Sequence, residues 1–357
     1  MKRILTIVGA RPQFIKAAAI SHVVHDEYAN ELQEDILHTG QHYDDNMSGT
    51  FFRELDIPAP RYNLGVGSGT HGAQTAAMLK GIEEILLTKH YDAVLVYGDT
   101  NTTLAGALAA AKINVPVMHV EAGLRSFNRT MPEEINRVVT DHVSYRLFAP
   151  TQTAVNNLKK EGFSDSKIVF SGDVMLDNTR NYSIKAKVDP QWPERFILAT
   201  VHRDFNTDNE DRLRNILAGI CSAAEEHQCK ILFPAHPRTR HRLDSMNAMS
   251  DFKGIHLIEP LSYLETLGAL LRCKMVATDS GGLQKEAYFS GRPCVLLRPE
   301  TEWTEIVDAG MAMLANANTE HIVDSIRGMW NLEPKVPSEF GDGHAARCIV
   351  QTILETT

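Results

Sequence analysis

Short runs of apolar residues alternate with longer amphipathic segments along the whole chain. The apolar runs predict buried strands at 4–8, 35–39, 93–97, 115–120, 147–149 and 168–171, and again at 196–200, 230–234, 255–258, 275–278 and 294–297. The amphipathic segments predict helices, for example at 72–88, 102–112, 133–145 and 153–161. Regular alternation of this kind is typical of βαβ units, so it predicts an α/β fold with parallel sheets.

One polar stretch with two prolines, at 187–193, interrupts the alternation, and the pattern restarts after it. We interpret this stretch as a linker between domains. A chain of 357 residues is long enough to bury two cores. The sequence therefore predicts two doubly wound domains of similar size, at 1–186 and 194–341, with a last helix at 342–357 that returns to the first domain.

Composition and charge limit the possible classes of function. The apolar content of 43% and the charged content of 23% are those of an ordinary globular protein. A net charge of -9 argues against a nucleic-acid-binding surface. No apolar run reaches the length of a membrane-spanning helix, and the first apolar run is too short for a signal peptide. The five cysteines show no CxxC spacing, which indicates a reduced, cytoplasmic protein.

Acidic motifs follow the predicted strands of the first half, at the ends where open α/β sheets bind ligands. Asp99 follows VLVYG, Glu121 follows VMHV, and Glu133 opens the helix of MPEEINR. Asp99 could equally well cap the next helix, and Glu133 could pair with Arg137 four residues later. Glu121 is harder to explain structurally, because a carboxylate beside a buried strand is poorly solvated. Such a group suits general acid or base chemistry.

Basic motifs lie at corresponding positions. In GARPQFIK, Arg11 and Lys16 stand near a predicted helix N-terminus, which is a favourable place for an anion. His202 and Arg203 follow the first strand of the second half, and His236 ends the next strand. These positions are consistent with phosphate binding. They are equally consistent with Arg11 and Lys16 facing solvent and with the histidines having a purely structural role.

The segment TDSGGLQKEA has the features of an anion-binding helix start. Ser280 can cap the helix, while Gly281 and Gly282 allow the backbone to approach a bulky anion. Glu286 lies about 9 Å further along the helix axis, within reach of a ribose whose diphosphate occupies the helix start. A capped helix with a tight glycine contact is the structural alternative. The histidines show no convincing metal-ligand spacing, so we expect no metal site.

Taken together, the motifs GARPQFIK, TGQH, GDTNTT, HVEAGLRS, PEEINR, HPRT, TDSGG and TEWTE resemble the non-hydrolysing UDP-N-acetylglucosamine (UDP-GlcNAc) 2-epimerases, in order from residue 4 to about 343. The resemblance implies two Rossmann-like domains in the glycosyltransferase-B arrangement, an active site in the interdomain cleft and a homodimer. It further implies inversion at the second sugar carbon, by elimination of UDP and its re-addition across a 2-acetamidoglucal, without a cofactor.

The resemblance also assigns roles to individual residues. Those implied in catalysis are Asp99, Glu121, Glu133, Arg11, Lys16 and His202, and those implied in binding the UDP-sugar are Gln41, His42, Arg137, Arg203, His236, Ser280, Gly281, Gly282 and Glu286. Within the second set, the serine and the two glycines would hold the diphosphate and the glutamate would hold the ribose. Which carboxylate removes the proton stays unassigned.

Several positions depart from the commonest pattern of that family. YDDNMS follows TGQH, which puts allosteric activation in doubt, Trp303 and Thr304 replace Arg-Pro, and Lys285 stands where Glu is common. These changes resemble the branch that acts on UDP-2,3-diacetamido-2,3-dideoxy-glucuronate, so that uronate is the alternative substrate to UDP-GlcNAc. A glycosyltransferase, a hydrolysing epimerase and a non-catalytic UDP-sugar sensor are the competing functions. The three strand-end carboxylates favour an epimerase over a transferase or a sensor.

Overall fold

The computed structural model describes residues 1–40, 52, 54–246, 252–333 and 338–356. The chain divides into two compact units, Met1–Asn178 together with Ser338–Thr357, and Thr179–Pro337. The stretch at 187–193 that we interpret as a linker lies inside the second unit. In the part of the chain that is described, no helix is long and apolar enough to span a membrane.

The first unit contains a parallel sheet whose described strands follow the order β3-β2-β1-β4-β5-β6-β7. Its strands are β1 (Lys2–Val8), β2 (Leu32–His38), β3 (Tyr62–Asn63), β4 (Ala93–Tyr97), β5 (Val117–Val120), β6 (Arg146–Ala149) and β7 (Ile168–Phe170). Its helices are α1 (Arg11–Glu27), α2 (His71–Thr88), α3 (Asn101–Lys112), α4 (Pro132–Val143), α5 (Gln152–Lys160), the first part of α6 (Val174–Ser183) and a C-terminal helix (Ala345–Thr356). The strand order reverses between β1 and β4, and ligands bind at such a switch point.

The second unit repeats this plan with the order β10-β9-β8-β11-β12-β13. Its strands are β8 (Phe196–Thr200), β9 (Lys230–Pro234), β10 (Ile255–Ile258), β11 (Met275–Thr278), β12 (Cys294–Leu296) and β13 (Ala312–Leu314). Its helices are α7 (Asp204–Thr207), α8 (Glu210–Glu226), α9 (Pro237–Ser245), α10 (Tyr263–Arg272), α11 (Gly281–Phe289), α12 (Thr304–Asp308) and α13 (Thr319–Met329), so that the C-terminal helix is α14. Here the switch point lies between β8 and β11.

The central strands are mostly apolar because a parallel sheet is covered on both faces. Every residue of β4 is buried, and so is every residue of β11. The predicted bounds of β4, β8, β9, β10 and β11 are confirmed residue for residue. The sequence pattern did not predict β3, which has only two residues, or β13, of whose three residues two are exposed. β3 is too short to produce an apolar run, whereas β13 lies in the short apolar run MAMLA at 311–315, which was not recognised as a strand.

The C-terminal helix α14 belongs to the first unit and contacts α1 there. Its N-terminus is held by a carboxylate from α6. The backbone N–H groups of Ala345 and Ala346 donate to the two oxygens of Asp177, at 3.2 and 2.8 Å. Asp177 therefore satisfies two amides that a helix start leaves unpaired. Burial raises the pKa of Asp177 to about 6, against the hydrogen bonds from these two amides.

This raised pKa predicts a pH-dependent contribution to stability. Between about pH 4 and 6 the folded protein keeps the Asp177 proton that the unfolded chain has released, so stability falls as pH rises. The Asp177→Asn variant cannot titrate. The free energy of unfolding of the variant, minus that of the wild type, is therefore expected to rise by about 2.4 kcal/mol between pH 4 and pH 7.

Urea unfolding at the two pH values measures this double difference. If the substitution also changes hydrogen bonds, the resulting change in the free energy of unfolding is the same at both pH values and therefore cancels in the double difference. The exposed carboxylate of Asp26 lies in the same unit, and Asp26→Asn serves as the control. A difference that does not change with pH would contradict the predicted titration of Asp177.

Candidate active site

Gln13, in the first turn of α1, connects the two strand ends at the switch point of the first unit. Its side-chain oxygen accepts hydrogen bonds from the backbone N–H groups of Gly9 and Ala10, at 2.9 and 3.1 Å. Its side-chain nitrogen lies 3.0 Å from the carbonyl of Tyr97 and 3.0 Å from the hydroxyl of Thr103. The loop after β1 and the loop after β4 are therefore held at a defined separation.

Asp99 follows β4 and its side chain is 30% exposed. Helix α3 is capped by Thr100, whose hydroxyl accepts from the backbone N–H of Thr103 at 3.3 Å. The interpretation of Asp99 as a helix cap is therefore wrong, because the next residue performs that task. The Asp99 carboxylate instead accepts a hydrogen bond from Arg137 of α4, which also pairs with Glu134 at 2.6 Å.

Glu134 was not singled out in the sequence, although it organises this corner of the first unit. It is buried, and it accepts from the backbone N–H groups of Ser126 and Phe127 at 3.0 Å each. Burial opposes ionisation, but these bonds and the nearby Arg137 hold the pKa of Glu134 below its ordinary value. Glu133 beside it is half-buried in the first turn of α4, as its place after a proline predicted.

Glu121 lies at the end of β5 in the left-handed region, with φ of 71°. This conformation is uncommon for a residue other than glycine and stores strain of about 1–3 kcal/mol. The sequence suggested an isolated carboxylate, but the ammonium group of Lys16 from α1 pairs with it. A Cβ atom at Gly98 would lie 3.2 Å from both charged groups. Because Gly98 has no side chain, the Lys16–Glu121 ion pair can lie close to the backbone just before Asp99.

Asp279, which is not among the candidate site residues predicted from the sequence, organises the switch point of the second unit. Its fully buried carboxylate accepts from the backbone N–H groups of His202 and Arg203 and from the side-chain nitrogen of Asn206, at 3.0–3.1 Å. It also lies 3.0 Å from Nδ1 of His202. Burial opposes its ionisation, but these hydrogen bonds keep the pKa of Asp279 below its ordinary value.

The orientation of His202 follows from this contact. Because Nδ1 faces a carboxylate, Nδ1 carries a hydrogen, and Nε2 is directed away from Asp279. The His202 side chain is 47% exposed, so its outer edge is open to solvent. The buried Asp279 thus connects the loop that carries His202 to the start of α11.

The N-terminus of α11 has the predicted cap. The hydroxyl of Ser280 accepts from the backbone N–H of Leu283 at 3.3 Å. A Cβ atom at Gly281 would lie 2.5 Å from Oε1 of Glu302, so the close approach of this carboxylate requires glycine. Nothing comparably close surrounds Gly282. Glu286, in the second turn, is buried.

His236 caps α9, because its Nδ1 accepts from the backbone N–H of Arg238 at 3.4 Å. The neighbouring Arg238 pairs with Asp208 at 2.6 Å, so its charge is already balanced within the second unit. His236 is exposed, and Arg203 is half-buried.

Some predicted residues contribute less to this picture. Arg11 is the first residue of α1 and is half-buried. Gln41, His42 and the YDDNMS segment lie outside the described residues. Within the described ranges, no cluster of three or more His, Cys, Asp or Glu side chains could hold a metal ion.

Two departures from the common family pattern lie in contact with one another. The ammonium group of Lys285 is 4.0 Å from the ring centroid of Trp303, and both residues are almost completely buried. A desolvated cation over an indole face is a favourable cation–π arrangement. The two changes are therefore structurally coupled, which the sequence alone did not indicate.

Comparison with known proteins places these features in a family. The family model described as UDP-N-acetylglucosamine 2-epimerase matches residues 26–354. The chain is 48% identical to a UDP-N-acetylglucosamine 2-epimerase homolog of Methanococcus maripaludis, over 98% of this chain and 99% of that protein. It is also 48% identical to the UDP-2,3-diacetamido-2,3-dideoxy-D-glucuronate 2-epimerase of Pseudomonas aeruginosa, over 91% of each.

Solved structures agree with this result. The crystal structure of a Methanocaldococcus jannaschii UDP-GlcNAc 2-epimerase in complex with UDP-GlcNAc and UDP is similar with a TM-score of 0.90 and 42% identity, covering 99% of this chain and 100% of that one. A lipopolysaccharide outer core galactosyltransferase, 11% identical, matches over the whole of both chains with a TM-score of 0.56, which shows the fold alone. The predicted fold class, two Rossmann-like domains of the glycosyltransferase-B kind, is confirmed.

Proposed function

The chain belongs to the UDP-N-acetylglucosamine 2-epimerase family, and from this premise we propose that it interconverts UDP-GlcNAc and UDP-N-acetylmannosamine (UDP-ManNAc). It is an isomerase that acts on a UDP-sugar. The observation that carries the choice of site is the Lys16–Glu121 ion pair, which lies at the switch point beside the Asp99–Arg137 pair. Two carboxylates with separate cationic partners are thereby placed on adjacent strand ends.

The chemistry needs such an arrangement because the proton on the second sugar carbon is only weakly acidic. When the anomeric C–O bond breaks, UDP leaves with the electron pair and the ring gains oxocarbenium character, which acidifies that proton. A carboxylate then accepts the proton and a C1–C2 double bond forms. Return of a proton to the opposite face, with UDP adding again at the anomeric carbon, gives the epimer. Fixed cations stabilise the charge that develops on the departing diphosphate.

In this proposal, Asp99, Glu121 and Glu133 are the catalytic carboxylates, and their separate environments favour separate tasks. Lys16 favours the ionised form of Glu121, which suits a proton acceptor. Asp99 shares Arg137 with the buried Glu134 and is more exposed than Glu121. Arg11, at the start of the same helix as Lys16, is assigned to the sugar and phosphate.

We assign the nucleotide to the second unit. The first N–H groups of α11 point out of the helix start, and the helix dipole favours an anion there. Ser280, Gly281 and Gly282 would hold the diphosphate, with Glu286 on the ribose. His202, oriented by Asp279, would donate a hydrogen bond from Nε2 to a phosphate oxygen as an imidazolium ion, since its Nδ1 hydrogen faces Asp279.

The alternative substrate is UDP-2,3-diacetamido-2,3-dideoxy-glucuronate, on which the Pseudomonas aeruginosa relative is named to act. The residues Lys285 and Trp303, which contact one another, support this alternative, because at both positions the sequence departs from the commonest family pattern in a way that resembles this branch. A cytoplasmic homodimer that supplies polysaccharide precursors is also part of the proposal. Light scattering tests the dimer.

Incubation of the enzyme with UDP-GlcNAc in deuterium oxide, followed by proton NMR, tests the function. We expect a mixture of UDP-GlcNAc and UDP-ManNAc that carries deuterium at the second carbon, because the removed proton exchanges with solvent. Accumulation of UDP and free sugar would indicate a hydrolysing epimerase. An unchanged spectrum, with turnover of the diacetamido uronate in a parallel tube, would establish the alternative substrate.

A further inference from the structure

A fully buried histidine lies in β5, two residues before Glu121. Nδ1 of His119 is 2.7 Å from Oδ1 of Asp141 in α4, and Nε2 is 2.8 Å from the backbone carbonyl of Gly98. A carbonyl can only accept a hydrogen bond, so Nε2 must carry a hydrogen. His119 is not among the candidate site residues predicted from the sequence, although it lies in the HVEAG motif.

The partner at Nδ1 is also an acceptor. Burial opposes the ionisation of Asp141, but hydrogen bonds from His119 and Arg125 hold the pKa of this carboxyl below its ordinary value. An ionised carboxylate has no hydrogen to donate, so Nδ1 must carry one as well. Since both ring nitrogens donate, the ring is an imidazolium ion.

The charged groups around this ion balance one another. Asp141 also pairs with Arg125 at 2.8 Å, and Arg125 pairs with Glu161 at 2.7 Å. Positive and negative side chains therefore alternate along this set, from His119 through Asp141 and Arg125 to Glu161, which is the more exposed end. A neutral set of this kind can remain buried, whereas a single unpaired charge could not. The paired charges of Lys16 and Glu121 lie close to Gly98 as well.

The contacts of this set explain what it does in the fold. His119 holds the carbonyl of Gly98, the residue before Asp99, while the second oxygen of Asp141 accepts from the backbone N–H of Gly123, two residues after Glu121. The N–H of Gly98 in turn donates to the carbonyl of Val120 at 3.0 Å. His119 and Asp141 therefore hold the backbone next to Asp99, at the end of β4, and the backbone next to Glu121, at the end of β5.

We propose that His119 is a positioning residue that donates from both ring nitrogens and, together with Asp141, sets the distance between the Asp99 and Glu121 carboxylates. This inference rests on the proposed catalytic roles of those two carboxylates. His119 itself touches no reacting atom. Its loss should therefore lower the rate of the chemical step and leave nucleotide binding, which we assign to the second unit, unchanged.

The first experiment observes the ring directly, without substrate. Nitrogen NMR of the wild-type protein labelled in its histidine rings is expected to show hydrogens on both ring nitrogens of His119, because both nitrogens face acceptors. In the Asp141→Asn variant, which lacks the partner charge, only one of the two ring nitrogens should carry a hydrogen. A singly protonated ring in the wild type would overturn the proposal, whether or not the protein is an epimerase.

The second experiment measures the consequence for catalysis. A glutamine side chain cannot donate to both acceptors, so His119→Gln is expected to lower kcat about 10- to 100-fold, by analogy with residues that orient metal ligands. The dissociation constant of UDP should stay within about twofold of the wild-type value. His142→Gln changes an exposed histidine of α4, next to Asp141 in sequence, and serves as the control. A folded His119→Gln enzyme with the wild-type kcat would refute the positioning role. Should this variant fail to fold, the NMR measurement still decides.

Discussion

Replacement of Glu121 by glutamine is expected to lower kcat by about 10²- to 10⁴-fold, the range over which a positioned acid or base contributes to catalysis. Glutamine has nearly the same shape, but it can neither take up a proton nor form an ion pair with Lys16. The strained backbone at this position, with φ of 71°, depends little on the charge of the side chain. The fold should therefore survive.

Two rates measured in deuterium oxide separate the possible roles of Glu121. If it exchanges the proton at the second carbon, the rate of deuterium incorporation and the rate of epimerisation should fall together. Glu84→Gln, at an exposed position of α2, controls for the loss of a surface charge. Near-normal deuterium incorporation in a folded Glu121→Gln enzyme would remove Glu121 from proton transfer. Asp99 or Glu133 would then be the next carboxylate to test in the same way.

Replacement of Asp279 by asparagine is expected to weaken UDP binding about 10- to 100-fold. The substitution removes the charge that orients His202, and so it weakens the hydrogen bond from His202 to the phosphate, which is worth about 1.5–3 kcal/mol when a charged group takes part. Each 1.4 kcal/mol of lost binding energy corresponds to a factor of ten in the dissociation constant. Calorimetric titration with UDP measures the effect without requiring turnover.

A double-mutant cycle with His202→Gln identifies the route by which Asp279 acts. If Asp279 works mainly through the histidine, the double variant should bind UDP about as weakly as the weaker of the two single variants. Additive losses would mean that Asp279 acts instead through the backbone of the loop. Asp208→Asn, at a partly exposed position in the same unit, is the control.

Local features of the sequence were sufficient for the strands and for part of the site. Buried parallel strands are apolar along their whole length, so β4, β8 and β11 were predicted from their composition alone. Ser280 followed by two glycines predicted the capped start of α11, because capping depends on residues within one turn. The same local rule failed for Asp99, since two adjacent residues could each cap α3 and only the structure shows that Thr100 does.

Contacts between distant residues could not be predicted in this way. Lys16 and Glu121 are 105 positions apart, and His202 and Asp279 are 77 apart. They meet because β1 lies beside β4, β4 lies beside β5, and β8 lies beside β11. The periodicity of a strand reveals that it is buried but does not reveal which strand lies next to it. For this reason Asp279, Glu134 and His119, whose importance lies in their partners, were not singled out.

The sequence by itself determined the α/β class, the positions of the main strands and the strand-end motifs, because each depends on residues within about one helical turn or one strand. Tertiary structure decided which of those motifs meet, which carboxylates have cationic partners and which buried residues hold them. Ion pairs and hydrogen bonds form only when two groups lie within a few ångströms of each other. Here the order of the strands in each sheet brings residues that are far apart in sequence to that distance. In this protein the candidate catalytic groups can be read from the sequence, whereas the interactions that orient them are a property of the fold.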